Sequence, residues 1–268
     1  EQITLSVDHG RQVWPIRADL VQLEQVVVKH GQIADTSQLD EIFQSAYSRK
    51  SDRNRRISLL AKAGWLVRIR RGLYQIVTDM TARGMGNVSN LVISQALNLR
   101  SYVSFANALN WHGMFDQLTK TVDSVTTARP RSYRFQSTEF RFLKVEEDLF
   151  FGFSGQRVDG KIVNIGEIEK VILDYLFLRR NAATVSLVVE KLREYRDKFD
   201  FARMTKYAMA YSITVQRNLG FLLDAVGVSS DALYQAASDN RKGFAKMHPG
   251  AKTFNSRWRL YYDPGVIE

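Results

Sequence analysis

The chain has 268 residues, of which 45% are hydrophobic and 25% are charged. Its length predicts a small domain joined to a larger one, and its composition is that of a folded protein. The lack of cysteine excludes disulfides and thiolate sites, and the four histidines lack metal-ligand spacing, so no cofactor and no metal is predicted. No apolar run approaches the roughly 20 residues that cross a bilayer, and no charged-then-apolar leader is recognised, so we expect a cytoplasmic protein without membrane contact.

Positive charge is concentrated near the N-terminus. The formal net charge is +10, which favours a polyanionic partner. Residues 49–71 contain nine lysines and arginines, against Asp52 as the single acid. This density points to a nucleic-acid surface within that segment.

Apolar periodicity predicts three helices in the first 64 residues. The first ends at a glycine C-cap, Gly31, and the second begins after an N-cap at Asp35 or Thr36. The third starts near Ser51, with Asp52 at its positive end. The apolar positions of the first two helices are Leu20, Leu23 and Val27, then Leu39, Ile42, Phe43 and Ala46.

The third helix is predicted to have a packing face and a polar face. On a helical wheel Ile57, Leu60, Ala61 and Gly64 share the packing side. Arginine and asparagine match the hydrogen-bonding edges of guanine and adenine, while lysine and serine reach phosphates or bases less selectively. The polar side, expected to contact DNA, consists of Ser51, Asn54, Arg55, Ser58 and Lys62.

A basic hairpin, or wing, is predicted after this helix. Trp65, Val67 and Ile69 alternate with other side chains, and Gly72 lets the chain reverse into a strand at 73–77. This order of elements predicts a winged helix-turn-helix on residues 35–77 that binds double-stranded DNA, with the wing beside phosphates. The further residues assigned to DNA contact are Arg49, Lys50, Arg68, Arg70 and Arg71.

Two other interpretations of this segment stay open. A run of cations is often only the solvated face of a small helical bundle. Winged helices also serve as protein-interaction modules, so the fold by itself does not imply DNA contact.

The chain is predicted to divide into a winged-helix domain at 1–80, which includes an N-terminal extension at 1–17, a linker at 81–89 and a second domain at 90–268. The fold class is therefore α+β, an N-terminal winged helix-turn-helix followed by a larger α+β domain with a small antiparallel sheet plus helices. Helices are predicted at 91–97 and 102–111, strands at 122–127, 140–145, 149–153 and 161–165, and five more helices after Gly166.

Two basic stretches of the second domain have aromatic residues between their cations. One surrounds Tyr133 and Phe135, and the other surrounds Phe244 and Trp258. Either is a candidate second polyanion surface, although the aromatic residues equally suit a core from which the cations extend to solvent. The residues assigned to this surface are Arg129, Arg131, Arg134, Arg141, Lys242, Lys246 and Arg257.

Catalytic motifs are almost lacking. The sequence has no P-loop, dinucleotide fingerprint or nucleophile elbow. Carboxylates at Glu167, Glu169 and Asp174 near Lys170 are similar to those of metal-dependent nucleases. At helical spacing Glu167, Lys170 and Asp174 share a face, so an ordinary i, i+3 ion pair and a solvated carboxylate are favoured instead. No catalytic residue is therefore assigned, and we expect no enzyme.

Four segments carry a family resemblance: the wing segment 63–74, the small-residue helix 104–113 that ends in His-Gly, the Glu-Lys…Leu-Asp helix 168–174, and residues 257–260. In this order they resemble the AbiEi family of antitoxins from type IV toxin-antitoxin systems. The segment between the second helix and Ser51 is longer and more basic than the usual turn of that family.

The resemblance implies an N-terminal winged helix that represses the protein's own operon at inverted repeats, and a C-terminal domain responsible for antitoxicity. It also implies a nucleotidyltransferase-like toxin encoded by the partner gene, in an abortive-infection-like phage-defence system. Type IV antitoxins counter the effect of the toxin without a stable complex, so no complex is assumed. Inverted repeats suit a dimer or two monomers, which leaves the oligomeric state open.

Two other functions stay open. One is a transcriptional regulator whose second domain senses a small ligand. The other is a nucleic-acid-processing enzyme that a winged helix delivers to its substrate.

Overall fold

The computed structural model describes residues 17–78, 88–117, 119–238 and 243–267. They form two compact units: the first consists of the described residues up to Leu97 together with Val158–Lys161, and the second contains the remainder. The helix at 90–97, assigned from sequence to the second domain, therefore lies in the first unit. Most of the expected linker and nearly all of the N-terminal extension lie outside the described residues. In the described ranges no helix is long and apolar enough to cross a membrane.

The first unit is a winged helix-turn-helix, as predicted. Its three strands form an antiparallel sheet in the order β1-β3-β2. The strand β1 was not predicted, because a three-residue strand is too short to show alternation. The elements are α1 (Arg17–His30), β1 (Ile33–Asp35), α2 (Thr36–Phe43), α3 (Lys50–Lys62), β2 (Leu66–Arg70), β3 (Leu73–Ile76) and α4 (Asn90–Leu97).

Local signals set the helix boundaries of this unit. Gly31 has φ +77° and its N–H donates to the Val27 carbonyl at 2.8 Å, which ends α1. Asp35 caps α2 in a reciprocal capping box with Gln38. The prediction that Ala46 belongs to the apolar stripe of α2 is wrong, because the helix ends at Phe43 and Ala46 is exposed.

One apolar core holds the first unit together. It joins side chains from α1, α2 and α3 to the sheet, so α3 is fixed against the rest of the unit through its inner face. Its buried members are Leu23, Val26, Ala34, Leu39, Phe43, Ile57, Leu60, Leu66 and Ile76.

The second unit contains a six-stranded sheet in the order β6-β7-β5-β4-β9-β8. The prediction of a small antiparallel sheet is wrong in this respect, because β5 pairs with β7 and β4 pairs with β9 in parallel. Three strands of this sheet were missed: the strand at 101–103 lies where a helix was predicted from residue 102, the arginines of 131–135 concealed an edge strand, and the strand at 153–158 begins only where the predicted one ends. The strands are β4 (Ser101–Val103), β5 (Thr121–Thr126), β6 (Arg131–Phe135), β7 (Thr138–Lys144), β8 (Phe153–Val158) and β9 (Lys161–Gly166).

Six helices and a second small sheet complete this unit, and the α+β class is confirmed. The strand predicted at 149–153 is instead a short 3-10 turn, Glu147–Leu149, before β8. The helices are α5 (Phe105–Trp111), α6 (Ile168–Leu178), α7 (Ala182–Glu194), α8 (Phe201–Ala208), α9 (Ile213–Ala225) and α10 (Asp231–Ser238); the small sheet is β10 (Ala245–Lys246), β11 (Thr253–Asn255) and β12 (Leu260–Tyr262).

Candidate nucleic-acid interface

The outer face of α3 is polar and exposed, while its inner face is apolar. Ile57 and Leu60 are buried in the core of the first unit. The five residues of the predicted polar face are all exposed, and so are Arg49 and Lys50 at the start of the helix. Arg49 gives α3 no side-chain cap, so the positive end of the helix dipole lies at the same surface. We call Arg49, Lys50, Ser51, Asn54, Arg55, Ser58 and Lys62 the α3 face.

Arg53 belongs to the same basic run but points inward. Its Nε and NH2 donate to the Asp40 carboxylate at 2.6 and 3.2 Å, and its NH1 donates to the carbonyls of Tyr47 and Ser48 at 3.0 and 2.8 Å. The hydrogen bond from Arg53 lowers the pKa of Asp40. This guanidinium therefore ties α3 to α2 and closes the turn between them.

Arg56 has a second structural role in the turn. It is half-buried, with its NH1 3.6 Å from Asp19 and its guanidinium 5.5 Å from the centroid of the Tyr47 ring. The Tyr47 hydroxyl donates to Asp19 at 2.6 Å. Burial, together with that hydrogen bond, raises the pKa of Tyr47. The six-residue segment between α2 and α3 is thus held on both sides, although it is longer than the turn expected for the family.

The wing contains a β-bulge that exposes its arginines. The register pairs Arg68 with Tyr74 and Arg70 with Leu73, and the irregularity falls at Ile69. Leu66 and Ile69 are both buried although they are three positions apart, so the strand does not alternate strictly. The prediction that Trp65, Val67 and Ile69 share one side of it is therefore wrong. Arg68 and Arg70 are both exposed, and the turn at Arg71 and Gly72 is closed by Gly72 with φ +77°.

The exposed cations lack carboxylate partners among the described residues. The ion pairs of the described part of α3 use the inward-facing Arg53 and Arg56. No ion pair between described residues involves the arginines of the α3 face or of the wing. The NH1 of Arg70 donates to the backbone carbonyl of Arg71 at 3.2 Å. Apart from Lys50, which interacts with Asp40 electrostatically, these exposed cations form a surface suited to phosphates.

The predicted second basic surface is divided by the structure. Arg131 and Arg134 are exposed on the edge strand β6, and Arg129 is exposed just before it. Arg257 instead pairs with Asp224 and Asp231, at 3.4 and 2.9 Å. Lys246 is exposed on the small sheet, and Lys242 lies outside the described residues.

Asp123 organises arginines beside β6. It is buried, and it accepts from Arg141 Nε at 2.7 Å and from Arg179 NH2 at 2.5 Å. The guanidinium of Arg179 also lies 4.2 Å from the centroid of the Phe105 ring. Together with Arg131, these two arginines line an open groove of about 520 Å³.

The carboxylate cluster at 167–174 is an internal structural network. Lys170 and Asp174 form an ion pair and are fully buried, so the predicted solvated carboxylate at Asp174 is wrong. Asp174 accepts from Tyr102 at 2.9 Å, Ser104 at 2.8 Å and Tyr211 at 3.2 Å. Burial lowers the pKa of Lys170 and raises that of Tyr102. In the described part of the chain, no group of three or more histidine, aspartate or glutamate side chains has the geometry to hold a metal ion.

Comparison with known proteins identifies the first unit. Residues 21–77 match the family model described as a transcriptional regulator, AbiEi antitoxin. This match covers about a fifth of the chain. The resemblance predicted from the sequence is thereby confirmed, and the AbiEi match covers the α3 face and the wing. No curated protein matches the chain in sequence.

The fold extends beyond the AbiEi match. The chain is similar to the crystal structure of the RV2827C protein from Mycobacterium tuberculosis, with a TM-score of 0.61 over 94% of each chain and 12% sequence identity. This likeness shows a shared fold over nearly the whole length.

The other three segments of the family resemblance lie outside the match, and the structure gives their residues structural roles. Ser104 and Asp174 meet in the buried network, and the His112 Nε2 lies 2.8 Å from the Gly166 carbonyl oxygen. Trp258 is buried, with its Nε1 donating to Asp224 at 2.7 Å. These segments determine packing in the second unit.

Proposed function

We propose that this protein is the antitoxin of a type IV toxin-antitoxin system and represses its own operon. In this proposal the α3 face enters the major groove of operator DNA, and the wing arginines Arg68, Arg70 and Arg71 hold neighbouring phosphates. The second unit counters the effect of a nucleotidyltransferase-like toxin without a stable complex with it.

The observation that carries the DNA-binding part is the division of the arginines in α3. Arg53 and Arg56 point inward and are paired with acids, whereas Arg49 and Arg55 are exposed and have no ion pair with a described residue. A solvated structural face does not need such a division. The AbiEi match, described as that of a transcriptional regulator, supports the same conclusion.

Within the α3 face we assign base contact to Asn54 and Arg55. Both are exposed, one helical turn inside the N-terminus of α3. N-terminal residues of recognition helices are the ones that reach base edges. Lys50, Lys62 and the wing arginines are assigned to phosphates.

Binding to the promoter region of its own operon tests this assignment. We expect Arg55→Ala to weaken binding by roughly 1–3 kcal/mol and to relax sequence preference, since it removes a base contact. Lys206→Ala is the matched control, because Lys206 is an exposed helical cation of the second unit. Unchanged binding by both Arg55→Ala and Arg70→Ala at 0.15 M salt would refute the assignment.

Co-expression with the product of the neighbouring gene tests the antitoxin part. The full-length chain should restore growth in the presence of a nucleotidyltransferase-like toxin, and the double variant Arg55→Ala/Arg70→Ala should still restore it while losing repression. Loss of rescue in that variant, at equal protein level, would contradict the proposed division between the units. If the protein binds its operator but does not restore growth, it is a transcriptional regulator without antitoxin activity.

A further inference from the structure

The small sheet of the second unit has one packed face and one exposed face. Ala245 and Leu260 are buried, and the Tyr262 ring packs against that of Phe221 at a tilt, with 4.6 Å between centroids. Side chains alternate along a strand, so the residues one position away point to the opposite face.

That opposite face has a row of touching aromatic rings beside a lysine. Tyr261 pairs in register with Lys246 on one neighbouring strand and with Phe254 on the other. Its ring centroid lies 5.1 Å from that of Phe254 and 5.2 Å from that of Phe244. The Nζ of Lys246 lies 5.9 Å from the Tyr261 centroid. We call Phe244, Lys246, Phe254 and Tyr261 the aromatic platform.

The platform is open to solvent. Phe244 is 61% exposed and Phe254 is 48% exposed. Single exposed apolar residues are ordinary, but a contiguous exposed patch marks a binding surface. The rings lie on the face of a sheet, which holds their spacing without the participation of a ligand.

The segment that carries the platform is basic, although Asp263 follows it directly. Residues 243–262 contain four lysines and arginines and no aspartate or glutamate. Lys246 and Lys252 are exposed, while Arg257 is already paired with acids of the helical part of the unit. Aromatic rings framed by free cations fit a ligand with flat rings and negative charge, which is the chemistry of single-stranded nucleic acid.

Arg180 connects the platform to the arginine groove beside β6. Its NH2 donates to the Lys246 carbonyl at 2.6 Å. The preceding residue, Arg179, lines the groove with Arg131 and Arg141. Because Arg179 and Arg180 are consecutive, the groove and the platform are both contacted from the same short segment of the chain. Of the groove arginines, Arg141 and Arg179 are paired with Asp123, so Arg131 is the guanidinium most available to a phosphate of a strand that leaves the platform.

We infer that the aromatic platform binds single-stranded nucleic acid, with successive bases stacked on Phe254, Tyr261 and Phe244 and the backbone held by Lys246 and the arginine groove. Stacking on rings tolerates every base, so the site has little sequence preference. It is distinct from the duplex site on the α3 face, and it does not depend on the proposed antitoxin activity.

Fluorescence anisotropy of the full-length protein with labelled oligo(U) and oligo(dT) of about 12 nucleotides tests the inference. Both should bind at low salt, and binding should weaken as salt is raised. We expect Phe254→Ala and Phe244→Ala each to weaken binding about tenfold, because each removes a stacking ring. Phe254→Leu should weaken it similarly, since it keeps an apolar side chain without a π face.

Two controls separate this site from other effects. Trp111→Ala removes a partly exposed aromatic residue on α5 and should leave oligonucleotide binding unchanged. The double variant Arg55→Ala/Arg70→Ala should lose operator duplex and keep the single strand, so failure of the two proposals is distinguishable. The inference is overturned if the wild type binds neither oligonucleotide or if the phenylalanine variants bind as wild type. It is also overturned if Phe254→Leu is fully active, or if the platform variants change only self-association in sedimentation.

Discussion

Arg53 and Asp40 join α3 to α2 by a two-point ion pair, with Arg53 Nε 2.6 Å from one carboxylate oxygen and NH2 3.2 Å from the other. The same guanidinium closes the turn by donating to the Tyr47 and Ser48 carbonyls. Arg53 thus fixes the position of α3, the helix that carries the exposed Arg55. The inward-facing structural arginines and the exposed arginines proposed to contact DNA are thereby separable by mutation.

Substitution of Arg53 is expected to lower stability, whereas substitution of Arg55 is not. Arg53→Ala leaves the Asp40 carboxylate and two backbone carbonyls without their hydrogen-bond donor. It should lower the melting temperature by roughly 5 °C. Arg55→Ala, at an exposed site of the same helix, should shift it by less than roughly 2 °C while impairing operator binding. Calorimetry beside DNA titration separates the two; equal thermal shifts would contradict the distinction.

The Arg53–Asp40 pair also predicts a pH dependence. The pKa of Asp40 is lowered in the folded protein, so its contribution to stability is present above its ordinary value near 4 and is lost as pH falls through the lowered pKa. Wild type should therefore exceed Asp40→Asn in stability at pH 6, and the difference should shrink below about pH 4. Urea titrations at several pH values measure it, and a difference that stays constant down to pH 2 would exclude this linkage.

The buried Lys170–Asp174 pair should show strong coupling. Lys170→Met leaves an unpaired buried carboxylate and should cost about 3–5 kcal/mol of the free energy of unfolding. The double variant Lys170→Met/Asp174→Asn should recover part of that loss, because the amide is neutral and still accepts from the neighbouring hydroxyls. A double-mutant cycle in urea provides the measurement, and additive effects would argue against the pair.

Gly220 of α9 is predicted to be intolerant of alanine. A Cβ there would lie 2.1 Å from the Trp258 ring, which is buried and anchored to Asp224. Gly220→Ala should cost about 1–3 kcal/mol by overpacking, although alanine favours helices. With Trp258→Leu as background the same change should become neutral or stabilising, as followed by thermal unfolding; an equal cost in both backgrounds would rule out the clash.

The wing arginines should set the salt dependence of operator binding. Each phosphate contact contributes about 0.9 to the slope of log K against log salt concentration. Arg68→Ala, Arg70→Ala and Arg71→Ala should each lower the slope by about that amount and weaken all sequences alike. Lys206→Ala again serves as the control, and an unchanged slope in all three variants would remove the wing from the interface.

Much of the first unit could be predicted from local sequence. The α3 face follows from helical periodicity, which fixes which residues share a side before any packing partner is known. Caps such as Asp35 and Gly31 depend on backbone chemistry within a few residues. These signals sufficed for α1 to α3 and for the hairpin.

The sequence could not separate Arg53 from Arg55, because the two have the same side chain and differ only in what surrounds them. It could not show the β-bulge at Ile69, which depends on strand pairing. The strands of the small sheet are two or three residues long and have no measurable period, so the aromatic platform was invisible as a surface.

The spacing of charges along the sequence also led to a wrong prediction for Asp174, which was expected in solvent and is buried. A carboxylate four residues after a lysine is usually solvated on a helix, and only tertiary packing encloses it beside Tyr102, Ser104 and Tyr211, which come from distant parts of the chain. The sequence by itself determined the order of the helices in the first unit and which residues of α3 share a polar face. The tertiary structure alone decided which charges are buried and which remain free, because burial depends on contacts between residues far apart in the chain.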